Sequence, residues 1–239
     1  MSDVTRGGTA GPVHVPVRGK AHGHDHPALV HHFADLDQQR EASSLGMWLF
    51  IAQEIMFFGG LFLLYAVYRN LYPHAFAEAS SHLDWRLGAF NTAVLIGSSL
   101  TMAMAVHAAA LGHRKAIAWW LIATIVLGAV FLGVKVVEYG EKFEHHLVPG
   151  PHFHYEGPDA RPAQIFFSLY FSMTGLHALH MIVGIPILAC MAWMGWRGRF
   201  GPEYHTPVEL TGLYWHFVDI IWIFLFPLLY LLGAHQPHM

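Results

Sequence analysis

The chain has 239 residues, of which 54% are hydrophobic and only 12% charged, with a mean hydropathy of +0.38. Soluble domains carry about 25% charged residues, so this composition excludes an ordinary soluble fold and leaves a single membrane-embedded domain. A formal net charge of −3 without a basic stripe points to no nucleic-acid partner, and the lone Cys190 excludes disulfide frameworks and cysteine-rich metal sites.

Residues 1–43 form a polar, glycine-bearing arm rich in histidine, with HGHDHPALVHH at 22–32. No apolar core follows the start methionine, so a signal peptide is not expected. His22, His24, His26, His31 and His32 could bind a metal adventitiously. Composition favours a solvated, partly disordered arm.

The first span, SSLGMWLFIAQEIMFFGGLFLLYAVY at 43–68, is long enough to cross a bilayer, which takes about 20 residues. Glu54 lies about 15 Å into it at 1.5 Å per residue. A charge at that depth costs about 2.5–3.5 kcal/mol on insertion scales. A neutral carboxyl is cheaper there than a carboxylate. Two readings stay open: a protonated or hydrogen-bonded carboxyl that locks two helices together, or a carboxyl that exchanges protons.

A polar loop, RNLYPHAFAEASSHLDWR, is expected next. The second span covers about 89–111, with Gly97, Thr101, Ala105 and Ala109 recurring on one face and His107 near its end. Small residues at this spacing predict a close neighbouring helix. A larger side chain at Ala105 is expected to loosen subunit association. After the tight basic turn GHRK comes the third span, about 116–140, ending with Lys135 and Glu138. Three residues apart on a helix, these two predict an internal ion pair.

The following loop, 141–162, carries His145, His146, His152 and His154, spaced too loosely for a site. The fourth span, about 163–196, holds His177 and His180 on one face. As metal ligands they would need partners from other helices. A satisfied interhelical hydrogen-bond pair is the expectation. The last span, about 208–233, contains Glu209, His216, Asp219 and a kinking Pro227. A tail of 234–239 ends the chain.

Five spans place the termini on opposite sides. Arg6, Arg18, Lys20, Arg40, Arg114, Lys115, Arg197 and Arg199 share the side of the N-terminus; Arg69, Arg86, Lys142 and Arg161 lie opposite. The positive-inside rule makes the N-terminus cytoplasmic and the C-terminus periplasmic. The expected fold is all-α: a five-helix transmembrane bundle over 44–233.

Four segments, GMWLFIAQEIMFFGG, NTAVLIGSSLTMAMAVHAA, TGLHALHMIVG and YWHFVDIIWIFLFPLLYLLG, resemble subunit III of the haem-copper oxidases, in that family's order. The resemblance implies a non-redox accessory subunit of a respiratory terminal oxidase, the class of complex that reduces oxygen to water and translocates protons. It further implies packing against subunit I, assembly with subunit II and possible further subunits, and bound phospholipid. Haem and copper would belong to partner subunits, with no catalytic, cofactor or metal site in this chain. Glu54 falls on the family's intramembrane glutamate, known for reacting with carbodiimides. By the same resemblance His107, Glu138, His177, His180, Glu209, His216 and Asp219 are structural or proton-related.

Two N-terminal helices of the commoner seven-helix form are replaced here by the polar arm, so a lipid cleft would need a wall from another subunit. The short form is familiar from bacterial oxidases, which implies the bacterial inner membrane. Alternatives are the small subunit of a quinol oxidase or nitric oxide reductase, or an autonomous proton-coupled transporter relaying through Glu54, Lys135, Glu138 and Asp219. Transporters often show internal repeats, and none is visible in this sequence.

Overall fold

The five apolar stretches become five long helices in the computed structural model, which describes residues 29, 32–150, 153, 155 and 159–231. His22, His24, His26, His31, His152, His154 and the tail at 234–239 lie outside the described residues. The elements are α1 (Leu36–Leu71), α2 (Pro73–Ser81), α3 (Trp85–Ala110), α4 (Arg114–Glu144), α5 (Ala160–Trp196) and α6 (Thr206–Tyr230). The expected all-α, five-span architecture is what forms.

Two boundaries differ from the sequence reading. α1 begins at Leu36 rather than near 43, because Asp35 and Gln38 cap it. The Gln38 N–H donates to Asp35 Oδ1 at 2.7 Å, and the Ala34 N–H donates to Gln38 Oε1 at 2.8 Å. These bonds satisfy donors that a helix start leaves free. The expected polar loop after the first span contains α2, opened by Pro73 in its first turn, where a missing N–H costs nothing. α2 buries Ala75, Phe76 and Ala79, and Lys142 donates to the His82 carbonyl at its end at 2.8 Å. Burial, and then the Lys142 charge, hold the His82 imidazole below its ordinary pKa.

α3, α4, α5 and α6 pack directly on one another, and α6 is the central post. Its span is 56% buried, against 17–33% for the other four. The reason lies in Trp215. Its ring is pressed between Gly128 of α4 and Gly184 of α5, where an added Cβ would stand 3.0 Å from the indole on either side. Its Nε1–H donates to Ser98 Oγ of α3 at 2.7 Å. One side chain therefore fixes four helices.

The small-residue face of α3 is used inside the chain. Gly97 lies against Leu127 of α4, Thr101 and Thr124 share a 2.8 Å hydrogen bond, and Ala105 and Ala109 are fully buried. The expectation that Ala105 governs subunit association is thereby corrected, since its side chain has no exposed surface for a partner.

α1 is different: none of the close helix pairs includes it. It reaches the others through long side chains. Phe58 meets Phe217 and His180 at ring separations of 6.3 and 5.5 Å, and Tyr65 Oη donates to the Leu228 carbonyl at 2.6 Å.

Overpacking a filled site costs about 1–3 kcal/mol. Gly184→Val is accordingly expected to lower the thermal unfolding midpoint of the detergent-purified chain. Gly133→Val, where nothing lies within 4 Å of the new Cβ, should leave it unchanged. Equal midpoints for the two variants would mean that the indole is not held as described.

Candidate functional site

Hydrocarbon cannot solvate polar side chains, so those within the spans must find partners in one another. Among the described residues, the candidate side chains fall into three separate polar clusters rather than one continuous site.

The most enclosed contact joins α4, α5 and α6. Lys135 and Glu138 are both buried and form the ion pair that their spacing predicted, Nζ to Oε2 at 2.8 Å. The other carboxylate oxygen accepts from Tyr170 Oη at 2.7 Å and from Tyr230 Oη. Lys135 also donates to Tyr230 Oη, and its Nζ lies 4.5 Å from the centroid of the Trp222 ring. Both charges thus have several partners, the condition under which a buried pair is tolerated. Tyr170 and Tyr230 escaped the sequence reading. The signal that could have found them is the pair itself, whose remaining lone pairs require donors.

The second contact joins α1 to α5. His180 Nδ1 lies 2.8 Å from the Leu176 carbonyl, which can only accept, so this nitrogen carries a proton. The opposite nitrogen, Nε2, stands 3.3 Å from Glu54 Oε2. That distance is within ion-pair range, but the atoms are not aligned as a hydrogen bond, and Oε2 has no other partner. Glu54 is buried and His180 half-buried, so water has little access to the contact.

Beside it lies an apolar cleft of about 440 Å³, lined by Met47 and Phe50 of α1, Leu179, His180, Val183 and Ile187 of α5, and Thr211 and Tyr214 of α6.

The third contact joins α3 to α6. His216 Nδ1 is 2.7 Å from Ser99 Oγ, and Trp222 Nε1–H donates to Thr92 Oγ1 at 3.1 Å. Asp219, nearly one turn beyond His216, is buried with Ser99 of α3 as its side-chain neighbour; Asn91 of α3 is fully buried with its amide unpartnered within the chain. Neither Asn91 nor the serines of α3 stood out in the sequence, because single polar residues in an apolar run look alike until the opposite helix is known.

The remaining candidates do not join these contacts. His177 and His180 were expected to be satisfied by interhelical hydrogen bonds, and the hydrogen bond that the His180 ring makes stays within α5. His177 is packed between Phe131 and Trp222 with Nε2 unpartnered, while His180 turns toward α1. Three positions on a helix differ by about 300°, or 60° the other way, enough to send the rings to different neighbours. His107 is exposed in the last turn of α3. Glu209, in the first turn of α6, lies 3.2 Å from His205 Nε2. Among the described residues, no group of three His, Cys, Asp or Glu side chains is placed to hold a metal ion.

A sequence model of the family described as "Cytochrome c oxidase subunit III" matches residues 31–234. The chain is 31% identical over 212 residues to "Cytochrome c oxidase subunit 3" of Thermostichus vulcanus, covering 88% of this chain and 91% of that protein. It is 32% identical over 216 residues to the protein of the same description from Synechocystis sp., covering 90% and 81%. It is also 31% identical over 209 residues to "Quinol oxidase subunit 3" of Bacillus subtilis, covering 84% and 93%.

Removing one partner of a buried ion pair costs about 3–5 kcal/mol, whereas replacing both by apolar groups is often neutral. Lys135→Met alone is therefore expected to destabilise the purified chain by that amount, and Lys135→Met with Glu138→Leu by much less. Unfolding midpoints of the two single variants and the double variant test this. A double variant as unstable as the sum of the singles would show that the two charges do not act as a pair.

Proposed function

The chain belongs to the cytochrome c oxidase subunit III family, and from that premise we propose that it is a non-redox accessory subunit of a bacterial haem-copper terminal oxidase. In this reading it packs against subunit I, assembles with subunit II, stabilises the catalytic subunit and supports its proton uptake, while haem and copper reside in those partners. The carrying observation is the family match over 31–234. The side-chain chemistry agrees: Lys135 and Glu138 pair within α4 and reach α5 and α6 through tyrosine hydroxyls, and Glu54 of α1 faces His180 of α5, so these groups act as ties within the bundle.

The orientation that goes with this reading puts Arg40, Arg114, Lys115, Arg197 and Arg199 on the cytoplasmic side of a bacterial inner membrane. The apolar cleft beside His180 suits the acyl chain of a phospholipid: its wall is almost wholly hydrocarbon and aromatic, and it is built from three spans.

The identity to "Quinol oxidase subunit 3" of Bacillus subtilis equals that to the Thermostichus vulcanus protein, which favours a quinol oxidase as the second reading. Purification of the intact complex from native membranes separates the two. The expected preparation contains a haem-bearing subunit I and oxidises reduced cytochrome c. Oxidation of a quinol instead would establish the second reading, and a preparation without haem or partner polypeptides would overturn both.

Glu54 is assigned a structural role in joining α1 to α5. Glu54→Gln retains the shape and a group able to face His180; Glu54→Ala removes both. Glu54→Gln is expected to assemble and to keep most of the oxidase turnover and proton pumping, and Glu54→Ala to lower the yield of assembled complex. A complex that assembles normally with Glu54→Gln but no longer pumps protons would overturn the structural assignment.

A further inference from the structure

The end of the bundle that carries α2 holds a cation with no acid beside it. Lys142, in the last turn of α4, is buried, and among the described residues no carboxylate pairs with it. Its ammonium donates instead to the His82 carbonyl at 2.8 Å. His82 is the C-cap of α2, where the helix dipole leaves partial negative charge, so a lysine from α4 caps α2. A second tie holds the same turn: Ser80 Oγ donates to the Leu229 carbonyl at the end of α6, at 2.7 Å.

The residue that supplies the capped carbonyl also carries an imidazole. His82 is exposed, so protons reach it from solvent, while Tyr155 of the following loop meets its ring edge-on at 5.7 Å. The charged and titratable groups acting on the ring are Lys142 of α4, Glu78 of α2 and His145 at the end of α4. Among the described residues, α5 and α6 contribute none, and Asp84, two residues on, accepts from the Arg86 N–H at the start of α3. Glu78 favours a proton on the ring. Lost hydration, Lys142 and His145 oppose it and prevail. A proton on His82 therefore places a second cation at a helix end that Lys142 already occupies.

We propose that His82 is the proton-sensitive element of a latch at this end of the bundle: neutral, it leaves Lys142 free to hold the end of α2 on α4, and protonated, it repels Lys142 and releases that end. The folded chain disfavours a proton on this ring relative to an unfolded one. The stability that the latch contributes is thus present above the ordinary histidine pKa of about 6.5 and is lost as pH falls below it. In the orientation given above this end faces the outer side, where a proton-translocating complex delivers protons, so acid on that side loosens α2. That sidedness rests on the accessory-subunit reading; the latch itself does not.

Hydrogen exchange read by mass spectrometry on the full chain, in the complex as purified from native membranes, tests the latch. Exchange at the imidazole C2–H gives the protonation midpoint of His82, expected below the ordinary histidine value. The amides of residues 79–83, corrected for the intrinsic pH dependence of exchange, are expected to exchange about threefold or more faster at about pH 5 than at about pH 8. His82→Gln keeps the carbonyl that Lys142 uses and carries no charge at either pH, so it should stay protected in acid. His74→Gln, in the first turn of the same helix, should behave as wild type. Lys142→Met should raise the His82 midpoint by removing the repulsion. A His82 midpoint at or above the ordinary value, one unmoved by Lys142→Met, or an acid-induced loss of protection in His82→Gln equal to that of wild type would overturn the proposal. The readouts come from this chain's own peptides, so a preparation without partner subunits would overturn the accessory-subunit reading while the latch is still decided.

Discussion

The bundle depends on the seating of Trp215 between two glycines. Its indole occupies space that any side chain at Gly128 or Gly184 would fill, and its one donor is used on Ser98. Trp222, two turns along the same helix, repeats the arrangement with Phe131, His177 and Thr92. Tyr230 extends it to Glu138, Lys135 and Tyr170. α6 thus presents a column of large, polar-tipped aromatics, each touching α3, α4 or α5. Bilayers provide no hydrophobic force between helices, and this column supplies contact area and directed hydrogen bonds instead.

The polar contacts divide by what they join. Lys135 and Glu138 lie on one helix and tie it to two others through tyrosine hydroxyls, so the charges hold a junction already close-packed. Glu54 and His180 join helices that do not approach closely, and there the contact is longer and less well aligned. That junction is also the one beside the apolar cleft, and α1 is attached to the bundle by aromatic rings, the Tyr65–Leu228 hydrogen bond and the carboxyl–imidazole contact. That is the structure of an outer helix, with one face committed to its own chain and the rest available to its surroundings.

These two patterns agree with an accessory role. Four helices form a closely packed body, and α1, which has no close helix pair, leaves a broad apolar face exposed. Asp219 and Asn91, both buried, mark the place where α3 and α6 enclose polar side chains in the core.

The sequence by itself determined the number of spans, their order and the family, because span length and apolarity answer to bilayer thickness alone and the motifs are local. It also determined the Lys135–Glu138 pair, since three residues on a helix fix a shared face. It could not determine the partners of that pair, the separation of His177 from His180, or the burial of Ala105, because each depends on which helix lies opposite and at what height. Glycines show the difference most directly. Gly60 and Gly184 are alike in the sequence; one meets open space and the other the ring of Trp215, and only the packing of α6 against α4 and α5 decides which.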